Sequence, residues 1–264
     1  MTSLSLTYIA DEKHLLAAFD SVLSKGSSGG IDNVSTEEYK KSLGKNIRQL
    51  SSTLMDGTWK PQPYMGINVP KKSGGVRQLG LLSVEDKIVQ TSIKFVLEPI
   101  VEKRLHSSSY AYRGGRGHVK AVRRALHESR QKANRIYLRI DIKDFFDSID
   151  RNILIGLLAG IIKDKKLLSL IRLCVTMGRV NQDMSWQEFS NGIPQGAILS
   201  PLLSNLYLAS LDDSRSNEIG KRIVIGKVKN QSSLAKYFNK YHKTVGVSDA
   251  FCCMMTPCRQ YCQK

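Results

Sequence analysis

Ile136-Tyr137-Leu138-Arg139-Ile140-Asp141-Ile142-Lys143-Asp144-Phe145-Phe146-Asp147 is the stretch on which the fold turns. Ile136, Leu138 and Ile140 alternate with Tyr137, Arg139 and Asp141, the period of a half-buried β-strand. The strand ends in a carboxylate. An aspartate at a strand tip, beside a free backbone carbonyl, suits a hard divalent cation such as Mg²⁺. Equally, Asp141 and its acidic neighbours begin and cap the next helix, the commoner role for an isolated Asp-x4-Phe.

A second stretch lies downstream: NGIPQGAILSP, residues 191–201. Two glycines flank Pro194-Gln195, which makes a tight turn that a ligand can approach closely. Ser200-Pro201 is a helix start, a cap followed by proline in the first turn. Working outward, Pro61, Pro63, Pro70 and Gly74-Gly75 punctuate an extended region. Ile67 and Val69 before the turn, and Val76 and Leu79 after it, predict a β-hairpin with its tip at residues 71–75.

Helices are predicted over residues 37–55, 84–104 (kinked at Pro99), 119–132 and 165–177, and after an Asp150 cap. The first thirty residues read as mixed, with a Ser-Gly loop at residues 24–30. Strands interleaved with helices place the chain in the α+β class.

The chain has 264 residues, 41% of them hydrophobic and 24% charged, which excludes wholesale disorder. Forty Lys and Arg against 23 Asp and Glu give a net charge of +17. Residues 60–139 alone hold seventeen basic and five acidic residues, a net +12. Such a field concentrates polyanions and suggests phosphate contacts; a solvated basic surface explains the same number. The longest nearly unbroken apolar run, residues 153–162, is ten residues and too short to span a bilayer. No basic residue precedes the apolar stretch of residues 1–10, so no secretory signal is expected and a cytoplasmic protein is. Of five cysteines, four crowd residues 252–262, without the C-x2-C pair or neighbouring His of a zinc cluster.

Four blocks in order resemble reverse transcriptases of the bacterial group II intron type: VPKKSGGVRQLG at 69–80, SYAYRGGRGH at 109–118, DIKDFFDSID at 141–150 and GIPQGAILSPLLSN at 192–205. The family writes the second block SYGFRPGR and the fourth G-x-P-Q-G-x-x-L-S-P-x-L-x-N. The resemblance implies a right-hand polymerase fold with fingers and an incomplete palm, and no thumb. The division it implies is an N-terminal segment at 1–34, fingers at 35–135, a partial palm at 136–213 and an unmatched tail at 214–264. It also implies RNA-directed DNA synthesis by two-metal phosphoryl transfer onto a primer 3′-hydroxyl.

The partners implied are an RNA template, a DNA primer, deoxynucleoside triphosphates and, through the intron-type relatives, group II intron RNA. Asp141, with the Ile142 carbonyl, would hold Mg²⁺. Phe146 would stack under the incoming sugar and exclude a 2′-hydroxyl. Arg77 with Lys71 or Lys72 would hold the triphosphate, an arginine fork suiting that task. Gln195 and Gly196 would line the nucleotide pocket. Arg113, Arg116, Lys120, Arg123 and Arg124 would meet template or primer backbone, or else stand solvated.

One family block is missing. Y-x-D-D, which supplies the remaining metal ligands, occurs nowhere in the chain. Asp212-Asp213 aligns with the element before it. Two Mg²⁺ ions close together need several anionic ligands, so the expectation is a polypeptide without polymerase activity. The change of character after Asp213 suggests a truncated or frameshifted reading of a longer gene.

Overall fold

In a computed structural model, residues 4–26, 29–70, 74–131, 142 and 144–212 are described. The predicted strand at 136–141, the metal-ligand candidate Asp141, the hairpin-tip lysines Lys71 and Lys72, and everything from Asp213 onward lie outside them. Two compact units alternate along the chain, one built from residues 1–101 and 144–204, the other from 102–143 and 205–264.

The first unit opens with α1 (Leu6–Ile9) and α2 (Glu12–Leu23). The Asp11 carboxylate caps α2 by accepting from the Lys13 and His14 amides. Leu15, Ala18, Phe19 and Val22 then fall on one buried face. Cap and stripe are both present in a region that reads as mixed.

The single helix expected over 37–55 is two, α3 (Thr36–Lys41) and α4 (Leu43–Asp56). They break at Ser42, whose φ of −122° and ψ of 32° leave the helical region. Ile47, Leu50 and Leu54 bury the inner face of α4, and Gly57 closes it in the left-handed conformation at φ +73°.

The hairpin is present as predicted. β1 (Tyr64–Pro70) pairs antiparallel with β2 (Val76–Leu81), Val69 opposite Arg77 and Pro70 opposite Val76. The sheet gains two short strands that the sequence does not announce. β3 (Arg179–Val180) runs parallel to β1, and β4 (Trp186–Gln187) pairs antiparallel with β3, in the order β2-β1-β3-β4. Two-residue strands are too short to carry an alternation signal.

α5 (Val84–Glu102) runs through Pro99 and buries polar as well as apolar side chains, among them Asp86, Gln90 and Ser92. Two of them tie elements of the first unit together: the Ser92 hydroxyl donates to the Ile9 carbonyl at 2.8 Å, and Gln90 Oε1 accepts from the Leu199 amide at 3.2 Å. α7 (Arg151–Ala159) begins at the predicted Asp150 cap. α8 (Lys165–Thr176) begins at Asp164, whose carboxylate also accepts from the Leu6 amide at 2.7 Å.

In the second unit, α6 (His118–Gln131) carries the basic residues expected on it. α9 (Ser200–Asp212) starts at the predicted Ser-Pro, in the first unit, and its last residues belong to the second. No described helix is long and apolar enough to cross a membrane.

Candidate functional site

The β1–β2 hairpin, the turn at residues 144–150 and the Pro-Gln-Gly loop are sewn together by backbone hydrogen bonds. Gly192 N–H donates to the Ile149 carbonyl at 2.8 Å, and Ile193 N–H to the Phe146 carbonyl at 2.9 Å. Gly80 N–H, on β2, donates to the Gln195 carbonyl at 2.7 Å. The Ser200 hydroxyl donates back to the Pro194 carbonyl at 2.6 Å, so the helix-start serine ties down the loop instead of capping freely.

These contacts explain the two glycines. At Gly192 the backbone has φ +84°, and a Cβ would fall 2.7 Å from Asp147 Cα. At Gly196 φ is +102°, and a Cβ would fall 2.4 Å from the Gly80 carbonyl oxygen. What approaches the loop so closely is protein backbone on both sides, where the sequence suggested a ligand. One glycine admits the 144–150 turn and the other the hairpin.

The three segments wall an open, polar cavity of about 380 Å³. Tyr64, Leu82, Met177 and Ala197, with Phe189 against them, pack as an apolar cluster beside it. Gln195 is on the wall, and its Nε2 donates to Asp147 Oδ2 at 3.1 Å. Gly196 and Phe146 are not on the wall. Phe146 sits half-buried in a single 3-10 turn, edge-on to Phe145 at 5.7 Å, its carbonyl held by Ile193.

Several wall residues were not singled out by the sequence. Arg151 turns onto the loop, Nε donating to the Gly192 carbonyl at 2.7 Å and Nη1 to the Phe189 carbonyl at 2.6 Å. Burial lowers its proton affinity. Tyr64 is buried, and burial raises its phenol above the usual range; Arg179 and Arg151 oppose that rise and Asp147 adds to it. Asp147 was legible as part of the quoted block. Arg179 and Phe189 sit around the short strands and had no signal.

Asp144 and Asp147 are the described carboxylates on the cavity wall, and Asp147 already holds Gln195. Among the described residues no group of three His, Cys, Asp or Glu side chains converges as a metal site.

In the second unit, the loop at 106–117 is held by an arginine clamp. Arg113 Nε donates to both Glu102 oxygens at 3.0 and 2.9 Å, and its Nη2 also meets Glu102. Nη1 donates to the His106 and Ser109 carbonyls at 2.7 and 2.8 Å. With its side chain 3% exposed, Arg113 is committed inside the loop, unlike the phosphate contact expected of it. The hydrogen bonds from Arg113 hold the Glu102 carboxyl below the usual range.

Asn205, the last residue of the quoted 192–205 block, donates to the Ala111 carbonyl at 2.8 Å. Arg116 Nη1 bonds the Ser107 carbonyl, with its guanidinium 5.7 Å from the Tyr110 ring. Lys120 meets the Gly115 carbonyl, Arg123 is exposed and Arg124 half-buried on α6. The backbone at Ile142 is described, but the side chain of Arg77 is not.

Comparison with known proteins agrees with this geometry. Residues 69–232 match the family described as "Reverse transcriptase (RNA-dependent DNA polymerase)". The match runs past Asp213, where the four-block resemblance ends. Protein YkfC of Escherichia coli K12 is 28% identical over 200 residues, 74% of this chain and 52% of that one. The group II intron-encoded protein LtrA of Lactococcus lactis subsp. cremoris is 36% identical over 169 residues, 64% of this chain and 28% of that one. The putative COX1/OXI3 intron 2 protein of Saccharomyces cerevisiae is 28% identical over 228 residues, 86% of this chain and 26% of that one.

A solved structure titled "Partial Cas6-RT-Cas1--Cas2 complex" superposes with a TM-score of 0.52 at 25% identity, covering 77% of this chain and 34% of that one. The chain thus spans about half the length, or less, of these curated relatives. With the family matched over most of the chain, the protein belongs to the reverse transcriptases, the RNA-dependent DNA polymerases, and has group II intron-encoded proteins among its relatives.

Proposed function

We propose that the chain forms the fingers and part of the palm of a right-hand RNA-directed DNA polymerase of the group II intron type. The observation that carries this reading is the set of three backbone hydrogen bonds, from Gly80, Gly192 and Ile193, that closes the motif segments around one polar cavity. In this reading the cavity takes the base pair being formed, with the Gln195 amide, held by Asp147, beside it. Phe146 backs the incoming sugar, Gly196 keeps the loop against β2, and Lys71, Lys72 and Arg77 on the hairpin meet the triphosphate. Arg116, Lys120, Arg123 and Arg124 meet the strand backbones, with group II intron RNA as the template class.

The chain as it stands binds without polymerising. Joining a primer 3′-oxygen to an α-phosphate in this family takes metal ligands from Asp141 and from Y-x-D-D, and the second set is missing from the sequence. Primer extension on an RNA template with a DNA primer, all four deoxynucleoside triphosphates and Mg²⁺, read beside a mobility shift of the same duplex, tests both parts. The duplex is expected to shift, and the primer to stay at its starting length. Template-dependent extension would overturn the binding-only reading, and an unshifted duplex at 50 mM salt the whole proposal.

A further inference from the structure

We propose that Arg179 is a phosphate-binding residue of the cavity, with the chemistry to take a phosphate of a nucleotide or of a nucleic-acid strand. The inference rests on the polymerase reading above and adds to it a cation outside all four motif blocks. Two described cations, Arg151 and Arg179, stand on the cavity wall. Arg151 is turned onto the Gly192 and Phe189 carbonyls. Arg179 carries its charge to the wall without a carboxylate partner among the described residues: Nη2 meets the neutral Gln187 side chain, and the buried Nε has no hydrogen-bond partner. A guanidinium left without a counter-charge at a cavity wall finds its best acceptor in an anionic oxygen.

The side chain is held in place before any ligand arrives. Its stem lies across Gly66, where a Cβ would come within 2.8 Å of Arg179 Cδ, so only glycine on β1 lets it lie there. Its guanidinium stacks on the Phe189 ring, 4.9 Å from the centroid, and Nη2 meets the Gln187 side chain. Stacking plus a fixed fork is the arrangement in which arginine loses least entropy on binding a phosphate. The wall carboxylates do not fill this role: Asp147 is bonded by Gln195, and Asp144 is exposed. Tyr64, opposite Arg179 in the β1–β3 register, is a second polar group on the same wall.

Arg179→Gln removes the charge and the fork, and Arg179→Lys keeps the charge alone. Thermal midpoints of both variants control for folding. Two probes are titrated into each protein: inorganic tripolyphosphate, and an RNA–DNA primer–template duplex at 50–200 mM salt. Arg179→Gln is expected to lose roughly tenfold in tripolyphosphate affinity, with Arg179→Lys between it and wild type. If the bound phosphate belongs to a strand, the salt slope of duplex binding also falls by about one ion; if to a free triphosphate, duplex binding is unchanged.

Wild-type tripolyphosphate and duplex affinities in a folded Arg179→Gln would overturn the assignment, as would a wild type that takes no tripolyphosphate and a duplex slope that Arg179→Gln leaves alone. A tripolyphosphate difference between the variants, with no duplex binding by any of them, would keep the Arg179 site and sink the polymerase reading.

Discussion

Gly192 and Gly196 carry the most constrained backbone of the site, because each is strained for any side chain and each faces another main chain at under 3 Å from a Cβ. Backbone cannot step aside as a flexible side chain can. Gly196→Ala is therefore expected to cost on the order of 3 kcal/mol or more in denaturant-derived stability. Gly115, at φ +67° with nothing within 4 Å of a Cβ, isolates the conformational part, and Gly115→Ala should cost only about 1 kcal/mol.

Asp86 makes a second residue-scale prediction. Burial pushes its carboxyl up to about 7, although the Ser83 hydroxyl and the Gln62 amide both donate to it. An unfolded aspartate ionises near 3.9. Its folded pKa is the higher one, so its stabilising effect is complete below about pH 4 and is lost as pH rises through 7. From pH 5 to 7 the wild type should lose about 2 kcal/mol relative to Asp86→Asn, and thermal or denaturant melts of the pair across that range check it.

Elements were legible in proportion to their length and periodicity. The hairpin, α5, α6, α7, α8 and the Ser200 start of α9 follow from alternation, apolar stripes and caps. The missed break at Ser42 is a local backbone event inside a continuous pattern, and β3 and β4 owe their strand state to the partner that β1 offers. In the site, Gln195 was legible from its motif, whereas Arg179 and Phe189 come to the cavity through a parallel pairing that periodicity does not encode.

The arginine clamp is the element-scale counterpart of this lesson. Arg113 stood in a basic loop, yet the loop is built around it. Glu102, its partner, has a depressed carboxyl pKa, so the clamp is intact above the ordinary glutamate range and is lost as pH falls below it. Arg113→Lys keeps the charge but loses the fork to Glu102, His106 and Ser109. Amide protection factors across residues 106–117 should fall in Arg113→Lys and in wild type at pH well below the ordinary glutamate range, while α2 keeps its protection. Unchanged protection in both would contradict the clamp.

At the scale of the whole molecule, a net charge of +17 sets the field in which the cavity works. Binding of an RNA–DNA duplex should weaken by at least tenfold between 50 and 200 mM salt if several phosphates are neutralised. Charge alone would draw any polyanion to any basic face, so affinity does not tell a polymerase cavity from a basic surface. Position does. The most direct measurement is photo-crosslinking of an RNA–DNA primer–template with a photoreactive base at the templating position, mapped by peptide mass spectrometry. Crosslinks concentrated in residues 76–81 and 191–197 are the predicted result. Crosslinks confined to α6 and the 106–117 loop, with the cavity walls unlabelled, would contradict the account.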